Sequence, residues 1–583
     1  MDGNITCFGA VRTDKVNDSN KEKSMTNRLV KVKFEHGPEQ EVEAGISLNQ
    51  ILAKYPAVMD GIDYQPLGAL VNNEFVSIEY QIETGSHVRI LGYRDSYGQR
   101  VYRHTIAFLL AKAAHELFPG CDFAVEHSLS KGLYCSFRVG DEPGISKDQL
   151  AKLDAALRKL FDQKAPIDRI KVTYDEAIAH FEAAGAKDKL NLLRYKNSSR
   201  VSVYQCGAYM DLANQPLANN AAALGNYQLI AYQQGFVVMG PDRMDLNAFP
   251  KFEPAHYIYD VFKGHKDWGR IVRVRTVGDL NERIAKKKID DFIDVNEAYQ
   301  EKRIALLAEQ IVQKRGHVKW ILIAGPSSSG KTTFSKRLSL QLKASGMNAK
   351  PISLDNYFVE RGLTPLDEKG EVDYEHLEAL NLALIDEQLT ALDEGKKVEL
   401  PYYNFHTGKR EFRGEFMHIG PDDVIVLEGI HGLNPRLTAS VPAEHKFKIY
   451  ISALTQLNID SNNRISTTDN RLIRRMVRDN NFRSHSALKT LQMWPKVRRG
   501  EKTWIFPFQK EADVAFNSAL DYELAVLRPY AEPLLAEIKP SMPEYAEAVR
   551  IQQFLSNFLV IPTDRVPPTS VIREFIGKSF FQY

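Results

Sequence analysis

Cysteine is scarce. Cys7, Cys121, Cys135 and Cys206 are scattered through 583 residues, and no CxxC pair occurs. That speaks against a thiolate zinc site and against a disulfide framework. No run of 18 apolar residues exists, and no charged-then-apolar leader opens the chain, so no membrane partner is expected and a cytoplasmic protein is. Excess charge is missing too: 76 Lys and Arg against 74 Asp and Glu leave a net charge of +2. Such balance argues neither for nor against a nucleic-acid or membrane surface. There is no internal repeat and no low-complexity tract. What is present is an ordinary globular composition, 44% hydrophobic and 26% charged, in a chain long enough for three or four domains.

Residues 1–27 are polar and read as a disordered tail, which leaves open whether Met1 or Met25 is the start. From Arg28 the pattern alternates. RLVKVKF and QEVEA read as strands, Ser47 caps the short helix LNQILAKY, and Asn72-Asn73 marks a hairpin turn. This makes residues 28–92 a small α+β domain. A helix follows over His104–Leu117, with Ile106, Leu109, Leu110 and Ala113 on a buried face, in a mixed region reaching residue 241. Residues 242–317 read as a connector with a pair of charged, solvent-facing helices. At Val318 continuous apolar runs (KWILIAG, VIVLEGI, FKIYISA) begin to alternate with helical stretches, the signature of buried parallel strands.

The chemistry is announced by Gly325-Pro326-Ser327-Ser328-Ser329-Gly330-Lys331-Thr332, which fits G-x-x-x-x-G-K-[ST] between a strand and a helix. A polyphosphate needs inward-pointing N–H groups, and Gly325 and Gly330 permit the tight path for Ser327, Ser328, Ser329 and Thr333 to follow. Lys331 is expected on the β- and γ-phosphates, and the Thr332 hydroxyl on Mg²⁺. ATP and Mg²⁺ are therefore the implied cofactors. Asp355 follows a predicted strand and either accepts the proton of an attacking hydroxyl or merely caps a turn. Glu428 ends the VIVLE strand, where an acid holds Mg²⁺ directly or through water, or simply ends the strand. Arg471, Arg474, Arg475, Arg478 and Arg483 crowd one helix and its exit. They form either a guanidinium clamp on a transferring phosphoryl group or a solvated basic face.

From Val318 to about Leu534 these blocks resemble the uridine kinase and phosphoribulokinase family: GPSSSGKTT, LDNYF, DYEHLEAL, LPYYNFHTGKR, VLEGI, RLIRRMVRD and ADVAFNS. The resemblance implies that Asp355 is the general base and that Tyr357 lines the acceptor pocket. It places Glu375 on ribose hydroxyls, Tyr403 and Phe405 against the base, and Arg410 at the close of that motif. Arg475 becomes a ribose contact, and Arg478 and Arg483 lid arginines on the triphosphate. The chain departs from the family at Gly408, where a histidine reads the pyrimidine, at Asn404 in place of an Asp, and at His485 in place of a second lid arginine. His406 lies near but out of register.

The N-terminal half has its own likeness. Residues 28–92 resemble a TGS domain, a β-grasp unit. Residues 93–241 resemble the editing-type domain of threonyl-tRNA synthetases through RHTIAFLLAKAAHELFPG and SKGLYCSF. Four metal-ligand positions of that family read His104, Phe108, Ala213 and Leu217 here, and one imidazole cannot hold Zn²⁺. A binding or regulatory module is implied.

The expectation is a multidomain α/β protein. Its C-terminal domain (residues 318–560) has a P-loop NTPase-type parallel sheet with flanking helices, preceded by a TGS-like β-grasp domain and an α+β synthetase-like domain. The expected reaction moves the γ-phosphoryl group of ATP to a hydroxyl of a small molecule, a nucleoside first, a sugar phosphate or other metabolite second. A nucleotide-switched regulator that contacts tRNA or RNA through the N-terminal half is the rival from another class. The C-terminal segment 561–583, with VIREFIGKSF, is too apolar for a free tail and packs on its own chain or on a second copy in a homo-oligomer.

Overall fold

The computed structural model describes residues 28–582 apart from 60, 61, 63, 142, 143, 255 and 406. The tail reading of residues 1–27 and the choice of start lie outside the described residues.

The N-terminal sheet has the strand order Gln40–Glu43, Leu29–Phe34, Ser86–Leu91, Gly68–Val71, Glu74–Val76, with the Leu29 and Ser86 strands parallel. Alternation along LVKVKF puts Val30, Val32 and Phe34 inside. Helix Leu48–Lys54 covers the sheet, started by a capping box between Ser47 and Gln50. Asn72 and Asn73 both take positive φ (48° and 61°), as a two-residue hairpin turn requires.

The second unit is built on helix Ser96–Leu117. It begins eight residues before the expected His104, because Gly98 allows the chain to pack against the Gly92 carbonyl, 1.8 Å from where a Cβ would sit. Ile106, Leu109, Leu110 and Ala113 are buried as their spacing requires. A four-stranded sheet (Gln228–Tyr232, Gly235–Met239, Gly132–Arg138, Asp122–Leu129) and a three-stranded one (Asp168–Thr173, Arg200–Cys206, Tyr209–Asp211) complete it.

The connector departs from expectation. Three helices, His256–Val272, Val277–Ala285 and Ile289–Val312, replace a solvent-facing pair. Ile304, Leu307, Ala308 and Ile311 of the last one pack on Phe334, Leu338 and Leu342, inside the core of the C-terminal domain. Its apolar stripe is interrupted by Asn296, Glu297 and Gln300, all buried, which makes the sequence look exposed. These groups are bonded: Gln300 Oε1 accepts from Arg337 at 2.6 Å and Glu297 Oε1 from the Tyr522 hydroxyl at 2.6 Å.

In the C-terminal half five parallel strands form one sheet: β1 (Trp320–Ala324), β2 (Asn348–Ser353), β3 (Asp423–Glu428), β4 (Lys446–Ser452) and β5 (Val514–Asn517), in the order β2-β3-β1-β4-β5. Helices α1 (Lys331–Ala344), α2 (Thr467–Arg483) and α3 (Ala487–Trp504) carry the residues that matter below. The chain leaves β1 and skips over β3 to form β2, so a crevice opens at the C-terminal ends of β1, β2 and β3. No helix among the described residues is long and apolar enough to cross a membrane.

The two halves are joined by a buried polar seam. The hairpin Asn458–Arg464, just before α2, docks on strand Asp122–Leu129, with Val125 N donating to the Ser461 carbonyl at 2.9 Å. Lys189 Nζ lies 2.8 Å from both Asp211 Oδ1 and Asp460 Oδ1, and none of the three side chains is more than 5% exposed.

Candidate active site

The loop 325–330 runs from β1 into α1. Gly325 passes so close to β4 that a Cβ would lie 2.0 Å from the Ile451 carbonyl oxygen, and Gly330 sits at φ 80°, a conformation that L side chains rarely adopt. Ser328 is left-handed as well (φ 59°). The Oγ atoms of Ser328 and Ser329 are buried without a hydrogen-bond partner. Unpaired donors beside the start of a helix are what a phosphate chain would satisfy, so the loop fits a nucleotide.

Thr332 Oγ1 donates to Glu428 Oε1 at 3.2 Å, and Ser353 Oγ reaches the same oxygen at 3.3 Å. Strand register explains the meeting: Glu428 pairs with Ile323 of β1 and with Ser353 of β2. Hard oxygen ligands of this kind suit Mg²⁺, with nucleotide phosphates supplying the remainder. Burial pushes Glu428 up to about 7; Lys331 opposes this, and the Asp355 and Glu574 carboxylates add to it. Asp355 is exposed on the first turn after β2, within electrostatic reach of Glu428 and Arg483.

The residues expected to meet an acceptor form a second group. Glu375 stands over α3 at Gly500, where any Cβ would come within 2.2 Å of its own Cβ. Its Oε2 is buried and unpartnered, and burial pushes the carboxyl up to about 7 despite the Arg475 guanidinium. Tyr403 and Phe405 pack edge to face (5.0 Å) and meet Phe358 at 5.5 and 6.1 Å. Phe405 is exposed whereas Tyr403 is buried. Arg410 pairs with Tyr403 across the hairpin Val398–Asn404/Lys409–Met417, and its Nη1 is buried without a partner. Gly408 occupies the turn at φ 69°; His406 lies outside the described residues.

Tyr357 is a correction. Its ring is in the core with Leu354, Ile385 and Leu389, and its hydroxyl donates to Gln388 Oε1 at 2.8 Å, so it does not line the crevice. Asp355 and Tyr357 share a 3-10 turn, which directs residues two apart to different sides.

The arginines divide. Arg475 Nη1 donates to Ser327 Oγ at 2.8 Å, so it touches the phosphate loop itself. Arg475, Arg478 and Arg483 all gather on Asp479, at 3.2, 2.8 and 3.6 Å. Arg471 and Arg474 are fully buried and hold the loop from beneath, donating to the carbonyls of Ser327 (3.1 Å) and Ser328 (3.4 Å). Each is neutralised by a buried acid, Glu501 for Arg471 and Glu523 for Arg474. Neither acid is visible as a site residue in the sequence. His485 follows the left-handed Ser484 that ends α2.

Residues 320–525 match the "Phosphoribulokinase / Uridine kinase family" model. The match lies wholly within the C-terminal half, and that region is similar to the kinases of this family. Solved structures to which the chain is similar include a possible uridine kinase from Bacillus stearothermophilus (20% identical, 37% of this chain and 98% of that one, TM-score 0.26). Another is D-glycerate 3-kinase from Cryptococcus neoformans (13% identical, 43% and 87%, TM-score 0.21).

The N-terminal half is similar to threonine–tRNA ligases. That of Desulforamulus reducens is 26% identical over 204 residues, 35% of this chain and 31% of that protein. That of Clostridium kluyveri is 27% identical over 189 residues, 32% and 29%. The chain thus spans about a third of the length of these relatives. Of the residues expected above to have lost a ligand function, Phe108 and Leu217 are core residues and Ala213 packs against that core. His104 is held neutral, lowered to about 4 by burial and by nearby arginines.

Proposed function

We propose that this phosphoribulokinase / uridine kinase family domain transfers the γ-phosphoryl group of ATP to the 5′-hydroxyl of a nucleoside. The observation that carries the reading is the arrangement across the crevice. Asp355 stands at the end of β2 beside Glu428, and the Glu375 carboxyl, its Oε2 unpartnered, lies within electrostatic reach of Lys331 and Arg475, while Tyr403 and Phe405 pack on each other and on Phe358. Lys331, Thr332 and Glu428 would hold the phosphates and Mg²⁺, which supplies charge neutralisation on the transferring group. Asp355 would take the hydroxyl proton, Glu375 and Arg475 would orient the ribose, and the aromatic rings would take the base. Arg478 and Arg483 would swing from Asp479 onto the triphosphate.

The test is a screen of nucleosides against sugar phosphates with ADP release as readout, run with Lys331→Ala and Asp355→Asn. Loss of turnover in both variants, with ATP affinity retained in Asp355→Asn, is expected. Full turnover by Asp355→Asn ends the assignment of the base. A sugar phosphate is the second reading, favoured by the buried, unpaired Nη1 of Arg410, which suits an anionic acceptor. A regulator that contacts tRNA through the N-terminal half is favoured by the ligase similarity. A tRNA gel shift that changes with ATP, together with no acceptor in the screen, would select it.

A further inference from the structure

Thr333 is the third residue of α1, and the first N–H groups of a helix have no partner within it. In a phosphate-binding loop such donors serve the nucleotide, whose phosphates the backbone N–H groups cradle. Here they are engaged by a carboxylate. Glu574 Oε2 accepts from the Thr333 N–H at 3.3 Å and from Thr333 Oγ1 at 2.6 Å, across 241 positions of sequence.

The backbone that presents Glu574 is firmly held. Ile572 and Phe575 beside it are fully buried. Arg573 Nη2 donates to the carbonyls of Thr563 (2.7 Å) and Val566 (2.6 Å). The Phe575 carbonyl accepts from Asn481 of α2 at 3.1 Å, and the Arg474 guanidinium lies 5.0 Å from the Phe575 ring. Val571 Cγ2 stands 2.5 Å from where a Cβ on Gly330 would be. Only the Glu574 side chain is partly exposed, so it can rotate while its segment stays in place.

We propose that Glu574 is a built-in competitor for nucleotide. Its carboxylate occupies the Thr333 donors, and a nucleotide phosphate takes them only when Glu574 turns away. Two anions cannot share the same two donors, so the affinity of the site for nucleotide is set by the C-terminal segment as well as by the loop. This inference rests on the P-loop reading above.

The test compares wild type with Glu574→Gln, which keeps size and a hydrogen-bond acceptor but loses the charge, and Glu574→Ala, which loses both. Dissociation constants for MgATP and MgADP are measured by calorimetry on the full chain, with thermal unfolding as the check on folding. Roughly three- to tenfold tighter binding by Glu574→Gln is expected, the scale of one charge at a helix N-terminus, and at least as much for Glu574→Ala. Glu574→Asp keeps the charge on a shorter arm and is expected between wild type and Glu574→Gln. Equal or weaker binding by both the Gln and Ala variants overturns the competitor role alone. Failure of all the proteins, wild type included, to bind MgATP overturns both it and the P-loop reading.

Discussion

Replacing Lys189 by methionine tests how the two halves are held together. Lys189 is the cation that bridges the Asp211 and Asp460 carboxylates, touching both at 2.8 Å. Its ammonium is held well above the usual lysine range, because the two carboxylates and Asp188 outweigh burial. Methionine fills similar space but leaves two buried acids without a counter-charge. Breaking a buried pair in this way costs about 3–5 kcal/mol. The amides of Asn462 and Asn463, which also donate to these acids, favour the lower end. At about 2–4 °C per kcal/mol for a domain of this size, the transition should fall by roughly 6–12 °C. Calorimetry at pH 8 is the assay. The loss should shrink toward pH 5. Burial holds Asp460 above the ordinary carboxylate range, and removing Lys189 raises it further. The folded variant then binds a proton that the unfolded chain releases, so its stability falls as pH rises. Lys189→Met combined with Asp460→Asn should recover about half of the loss. A Lys189→Met protein that melts within a degree of wild type at pH 8 refutes the reasoning.

Asp355→Asn should lower kcat about 10²- to 10⁴-fold while leaving the ATP dissociation constant within twofold, read by stopped assay and calorimetry. Glu375 sits at about 7, so acceptor affinity that depends on its ionised form should rise as pH increases through 7, and Glu375→Gln should flatten that profile. Glu501→Gln leaves Arg471 buried without its counter-charge and should cost about 3–5 kcal/mol in urea unfolding, with weaker ATP binding because Arg471 braces the Ser327 carbonyl. Arg471 and Arg498 outweigh burial and keep Glu501 below its ordinary value. Its stabilisation is therefore present above the unfolded pKa and lost as pH falls through the folded one.

Local chemistry was the legible part of the sequence. The loop follows and Glu428 ends an apolar run whose length and continuity mark a buried parallel strand, and Asp355 follows the more mixed strand AKPISL, so their place at the strand ends could be anticipated. Periodicity likewise found the buried face of Ile106, Leu109, Leu110 and Ala113. Tyr357 failed because a motif written as a line gives no sign of the 3-10 turn that separates it from Asp355. The arginine helix was half readable. Spacing shows which guanidiniums share a face, but Glu501 and Glu523, which convert two of them into internal braces, come from segments 30 and 49 residues away. Helix Ile289–Val312 was misread because its buried side includes Asn296, Glu297 and Gln300, whose partners only the folded chain supplies.

The placement of Val571 and Glu574 against the loop has a bearing on biosynthesis. A growing polypeptide folds from its first domains onward, yet here the wall behind Gly330 is contributed by residues 241 positions further along the chain. The phosphate-loop motif is therefore synthesised well before the surface that finishes it, and a product cut short near residue 560 would carry the whole motif without that surface.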